Sequence, residues 1–184
     1  MAKQNNLWAP WRMNYILGLG TDKKSGKENS SETPEKNECF ICRNLAHPQD
    51  DDENFVLWRT GKSIVILNRF PYNNGHLLIA PARHIPDLSQ ANDDELLDMI
   101  KVTRESQKAL SLAVKPHGFN VGMNFSRCAG AGLPDHMHIH VVPRWNGDTN
   151  FMSVCGDAKI ISQSLTELLE LLKKVSSENK LPCL

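Results

Sequence analysis

Residues 136–140 read His-Met-His-Ile-His and continue through Val141 and Val142 to Pro143 and Arg144, so imidazoles alternate with apolar side chains at the repeat of a β-strand. Successive strand residues face opposite sides. The pattern therefore predicts His136, His138 and His140 on one surface and Met137, Ile139 and Val141 in a core. A helix would turn His138 away from the other two, and the β-branched residues and proline stop also oppose it. A chain with this segment is constrained to a sheet that has one face for packing and one for chemistry.

Three readings compete for the histidines. Chance placement on a solvated face is the plain one, since the chain has seven histidines, but three on one face at the strand repeat is hard to reach by accident. A single metal held by all three meets a distance problem. The outer Cα atoms would lie about 13 to 14 Å apart, whereas imidazole–metal bonds run about 2.0 to 2.1 Å. A cupin-like site would also need an acidic ligand soon after, and Val141 to Asn146 supplies none. The reading that uses all three positions is nucleophilic attack on phosphorus by the middle imidazole. A histidine is largely neutral near pH 7, so one ring nitrogen keeps a lone pair while the other donates to an orienting group. A neighbouring imidazole then donates to the oxygens on which charge builds.

His136-Met-His138-Ile-His140-Val-Val resembles the signature of the histidine triad superfamily, and the resemblance extends over roughly residues 39–175. Ile66-Leu67-Asn68, followed by Pro71-Tyr72-Asn73-Asn74-Gly75-His76, resembles that family's first nucleotide-contacting segment; Asn124 and the glycine-rich loop after it resemble the second. Val-Val-Pro-Arg-Trp, with Gly147 and Asn150-Phe151 beyond, and the early Trp8-Ala9-Pro10-Trp11-Arg12 are more similar to the diadenosine polyphosphate (Ap4A) phosphorylase branch than to the small nucleoside phosphoramidases. The resemblance implies an enzyme that cleaves adenine (di)nucleoside polyphosphates through a nucleotidyl-histidine, with water or inorganic phosphate as acceptor, and a homodimer. Its implied roles put His138 as nucleophile and His140 as donor to the phosphate or leaving group. Asn68 would hold ribose, or simply form the turn before Pro71. Asn124 would face the phosphate, and His76 would either support the triad or be an ordinary strand histidine. Arg144 is left as a phosphate contact or a surface pair. A slow-turnover nucleotide sensor and a phosphoramidase are the alternatives.

Between Asn124 and His136, Gly130 and Gly132 would let backbone N–H groups approach an anion and adopt positive φ, with Leu133 beside them. Many triad enzymes carry Gln and Ser four and three positions before the first histidine, where this chain has Gly132 and Leu133. That departure shifts the burden of stabilising oxygens to backbone donors and His140.

Cys39-Phe-Ile-Cys42 has the spacing of half a zinc site. Local spacing offers His47 as a third ligand; the family resemblance implies His84 and His136, giving Cys39, Cys42, His84 and His136 as a structural site. If His136 binds zinc, it is not free to relay protons. Two alternatives are a pair of free thiols and a redox pair, the latter without the βαβ context it would want. Cys128, Cys155 and Cys183 carry no partner signature. No catalytic metal or organic cofactor is expected.

A length of 184 residues suits one domain, and the formal net charge of zero gives no pointer to nucleic acid or a membrane surface. The absence of a signal-like or spanning stretch and an odd set of five cysteines point to a cytoplasmic protein. Residues 1–18 are apolar enough to dock on the body or a second subunit, or to serve as a binding tail. Residues 19–38 have the composition of a mobile linker, and 39–184 form the catalytic domain. Within it, strands are expected at Phe55 to Arg59, Ser63 to Leu67, His76 to Ala80 and from Phe119. Asn92 and Glu95 have capping-box spacing before a helix burying Leu96, Met99, Ile100, Thr103 and Leu110. A last helix spans Ser164 to Val175 through Leu165, Leu168, Leu169 and Leu172, with Lys173 and Lys174 at its C-terminal end. The expected fold is α+β, an antiparallel sheet of about five strands with two main helices.

Overall fold

A computed structural model describes residues 39–148 and 161–184. The expectations for residues 1–38, and for Asn150, Phe151 and Cys155, lie outside the described residues.

Five strands form one antiparallel sheet in the order β1-β2-β3-β5-β4. They are β1 (Val56–Arg59), β2 (Ser63–Leu67), β3 (Leu77–Pro81), β4 (Gly118–Met123) and β5 (Ile139–Arg144). Among the described residues three α-helices accompany them: α1 (Phe40–Ala46), α2 (Asp93–Val114) and α3 (Leu165–Glu178). The two longer helices start as the sequence predicts. Asn92 and Glu95 cap α2 reciprocally, and Ser164 and Glu167 do the same for α3.

The sheet has two unlike faces. Val65, Leu67, Leu77, Ile79, Ile139 and Val141 pack with Met99, Leu110, Leu168 and Leu172 into the main core beneath α2 and α3. On the other face Val56, Ile64, Ile66 and Ala80 pack with Ile41, and Phe40, Leu45 and Leu133 adjoin them. The short helix α1 packs on this face through Ile41, and a cleft lies between its Phe40, Arg43 and Asn44 and the triad strand.

Several expectations need correction. Ladder pairing of the triad strand begins at Ile139, not at His136. The residues before it are held by the Met137 N–H donating to the Ile85 carbonyl at 2.7 Å, so they follow a neighbouring loop rather than β3. In α2, Ile100 is 62% exposed, and the buried stripe uses Val102, Glu105, Ser106 and Ala109 instead. Glu105 is tolerated there because Arg104 and Lys108 both ion-pair with it. Helix α3 runs to Glu178, so Lys173 and Lys174 are not in its last turn, and Lys173 pairs with Asp52. Strand β4 is an edge strand, and its Val121 is 47% exposed.

Candidate active site and metal cluster

The β2–β3 hairpin, β5 and α1 frame a cleft of about 550 Å³ lined by His138, His140, Asn68, Tyr72, Gly132 and Asn44, among others. Registration explains why chemistry and apolar walls meet there. Ile66 pairs with Leu78, and Leu78 pairs with His140, so these three stand in one row across the sheet on the cleft face.

His138 is 6% exposed, and its Nδ1 lies 3.0 Å from the His136 carbonyl. A carbonyl only accepts, so Nδ1 carries the hydrogen and Nε2 keeps its lone pair. The next ring is held the opposite way. The Tyr72 backbone N–H donates to His76 Nδ1 at 3.0 Å, which leaves the hydrogen on His76 Nε2, and that atom meets His140 Nδ1 at 2.9 Å. His140 Nδ1 is therefore the acceptor and His140 Nε2 the donor. Asn124 Nδ2 lies 3.4 Å from His140 Nε2; both would be donors, so the amide oxygen is the atom that belongs there. Burial, and then the neighbouring His138, push His140 down to about 4, so it stays neutral across the physiological range. The site thus presents one lone pair and one N–H on adjacent imidazoles, whose ring centroids lie 4.8 Å apart.

The other sequence candidates divide. His76 is 1% exposed, and its Nε2 lies 2.9 Å from His140 Nδ1. Asn68 lines the cleft, but its amide is already engaged: Oδ1 accepts from the Phe70 N–H at 2.9 Å, and Nδ2 lies 3.2 Å from His76 Nδ1. Gly130 adopts φ +90°, as expected, but its N–H donates to the Arg127 carbonyl and that of Ala131 to the Ser126 carbonyl. Gly132 does not have positive φ; a Cβ there would meet nothing within 4 Å, so open space adjoins its backbone. The amides of Gly132 and Leu133, like those of several other residues of this loop, have no backbone partner among the described residues. Arg144 is a surface pair with Asp148 and Asn120. Sequence reasoning missed α1 entirely, and with it Phe40, Arg43 and Asn44 in the cleft wall. The cysteine spacing was the available signal: it placed Cys42 one turn after Cys39, the residue that precedes α1.

The histidines do not share one surface. The His136 ring is fully buried and turned to the cysteines, because its lead-in segment departs from β3. Its Nε2 donates to the Pro81 carbonyl at 2.9 Å, which leaves Nδ1 as a lone-pair donor. That atom lies 3.2 Å from Cys39 Sγ and 3.5 Å from Cys42 Sγ, and Cys42 Sγ lies 3.1 Å from His84 Nδ1. All four donor atoms fall within 4.8 Å of one another. Tetrahedral zinc–sulfur and zinc–nitrogen bonds put donors roughly 3.3 to 3.8 Å apart, so this set fits a four-coordinate ion. Burial, then the hydrogen bond and charge of Cys39, push the Cys42 thiol up to about 11, the response of crowded sulfurs that a cation would reverse. His47 is not part of the cluster; its Nδ1 lies 2.9 Å from the Arg43 carbonyl at the end of α1.

Comparison with known proteins agrees with this geometry. The model of the HIT domain matches residues 49–147. The chain is 37% identical over 167 residues to an AP-4-A phosphorylase of Mycobacterium tuberculosis, covering 90% of this chain and 81% of that one. It is 31% identical over 93 residues to the asymmetrical bis(5'-nucleosyl)-tetraphosphatase of Schizosaccharomyces pombe, about half of each chain. Among solved structures, a zinc-bound histidine triad family protein of Mycobacterium smegmatis superposes with TM-score 0.64 at 23% identity, covering 78% of this chain and 96% of that one. A hypothetical histidine triad nucleotide-binding protein of Sulfolobus tokodaii gives TM-score 0.60 at 28% identity, covering 76% and 90%. With a family model spanning more than half its length and its imidazoles arranged as above, the chain belongs to the HIT domain family.

Proposed function

We propose that this HIT-family nucleotide-cleaving enzyme acts on diadenosine polyphosphates such as Ap4A in two steps, through a nucleotidyl-His138 intermediate. The observation that carries the reading is the opposed pair of tautomers: the His138 Nδ1–H is tied to the His136 carbonyl, and His140 Nε2 is left as a donor at the cleft. One adenosine occupies the cleft. The Nε2 lone pair of His138 attacks the α-phosphorus, a phosphorus–nitrogen bond forms, and the bond from phosphorus to the bridging oxygen breaks to release ATP from Ap4A. The His140 Nε2–H and the amides of Gly132 and Leu133 hydrogen-bond the oxygens on which negative charge grows. Inorganic phosphate or water then attacks the same phosphorus, restores the lone pair of His138 and releases ADP or AMP. Asn68 and Asn124 position ribose and phosphate around this centre.

The 37% identical phosphorylase favours phosphate as acceptor. Incubating the chain with Ap4A, with and without phosphate, separates the outcomes. ATP plus ADP formed only with phosphate identifies a phosphorylase, AMP plus ATP a hydrolase, and no cleavage in either condition rejects the proposal.

Cys39, Cys42, His84 and His136 would hold one zinc ion, which supplies no chemistry to the substrate and instead fixes the lead-in to the nucleophile. A second copy of the chain would join at the open edge of β4; light scattering of the purified protein tests this. No described helix is long and apolar enough to cross a membrane.

A further inference from the structure

Asn44 has no evident structural reason to be an asparagine. It lies one turn after Ile41, and these two are the buried residues of α1. Ile41 packs with Ile64, Ile66 and Ala80, so a leucine would suit position 44 as well. Instead an amide sits there at 3% exposure, and its Oδ1 has no hydrogen-bond partner. A buried acceptor left unpaired is a standing cost to the fold. The cost is also held in place. Arg59 Nη2 donates to the Asn44 carbonyl at 2.6 Å and Nη1 to the Leu45 carbonyl at 3.4 Å, while the same guanidinium pairs with Asp51.

Asn44 is also one of the residues that line the cleft containing His138 and His140. The row His140–Leu78–Ile66 crosses from β5 to β2, a step of roughly 10 Å at ordinary strand spacing, and α1 covers the β2 end. That span is comparable to the reach from an α-phosphorus to the far edge of a purine. Phe40, Ile66 and Leu133 supply apolar walls for the flat ring along the way.

We propose that Asn44 is a specificity-determining residue that reads the base and selects a 6-aminopurine, an inference that rests on the nucleotide-cleaving function above. A carboxamide sets one acceptor beside one donor. On the edge that carries N7, adenine matches that pair through its 6-amino group and N7, whereas the O6 and N7 of a 6-oxopurine are both acceptors. Arg43 is exposed in the same cleft wall and would be the residue to favour O6 and N7.

Calorimetric titration of the zinc-loaded full chain with AMP and with IMP tests this, because neither is turned over. The parent should bind AMP more tightly by about tenfold or more, the usual size of one bidentate base contact. Asn44→Leu should lose that factor for AMP and bring the AMP-to-IMP ratio near one, with a melting temperature that holds or rises. Asn44→Ala, which keeps the cleft open, should do the same to the ratio. An unchanged ratio in both variants, or equal weakening for both nucleotides, overturns the proposal. So does a parent that prefers IMP, which would assign the base to Arg43. A parent that binds no AMP at all rejects the nucleotide function itself and is thereby told apart from failure of Asn44 alone.

Discussion

The cysteine cluster and the cleft draw on the same five-residue stretch, yet they use its histidines in opposite ways. At the cluster, His136 is fully buried, gives its N–H to a backbone carbonyl and turns its lone pair toward two sulfurs. At the cleft, His138 gives its Nδ1–H to the His136 carbonyl, which leaves the lone pair on Nε2. Identical residue types two positions apart meet different surroundings because His136 lies beside the loop at Ile85, while His138 immediately precedes the ladder of β5, which begins at Ile139. Spacing fixes which way a side chain points, and the backbone acceptors around it fix which nitrogen is available.

The most drastic separation of the two regions is His138→Ala. It should abolish Ap4A cleavage, on the order of ten-thousandfold or more as for loss of other nucleophiles, while zinc content and melting temperature hold; bound zinc lost with the activity would show that the regions are not distinct. Cys42→Ser should act first on the other region. Metal analysis should show stoichiometric zinc gone and calorimetry a large fall in melting temperature, since structural ions contribute directly to folding, with activity following stability.

His76→Ala acts on the cleft alone. It removes the donor that sets the His140 tautomer, and a loss of about 10- to 100-fold in kcat/KM is expected, the range for groups that orient a working imidazole. Retention of full rate would mean that His140 needs no orienting partner.

The pH dependence of stability should also divide the two. His140 is held at about 4 in the folded chain against about 6.5 when unfolded. Between those values the unfolded chain binds more protons, so stability falls as pH drops from about 6.5 toward 4. Urea titrations of His140→Asn should show a flatter profile in that window, and an unchanged slope would contradict neutral burial. Smallest is Gly75→Ala. Gly75 has φ +78°, and a Cβ there would come within 2.9 Å of Leu110 and 3.0 Å of Pro143; a cost of about 1 to 3 kcal/mol by chemical denaturation is expected.

How far the sequence could be read follows the same division. The strand periods, the capping box of Asn92 and Glu95, and the inward set of Met137, Ile139 and Val141 were legible because each depends on near neighbours. Cys39, Cys42, His84 and His136 were assembled only through the family resemblance, since their partners lie far apart in the chain and local spacing offered His47 equally. Ile100 was misplaced because several apolar residues of α2 compete for one stripe, and burial of Glu105 depends on two cations that a hydropathy pattern does not weigh. Helix α1 is too short to show a period, so Asn44 and the rest of that wall were invisible.

The hydrogen-bond chain that begins at the Tyr72 amide runs one way, and a backbone N–H cannot be turned round. The cleft is therefore a receptor of fixed polarity, with an electron pair at one imidazole and a hydrogen at the next. Trigonal-bipyramidal oxyanions such as vanadate should satisfy both at once, which makes them natural starting points for inhibitors, while cationic amine mimics would meet the wrong partner at His140.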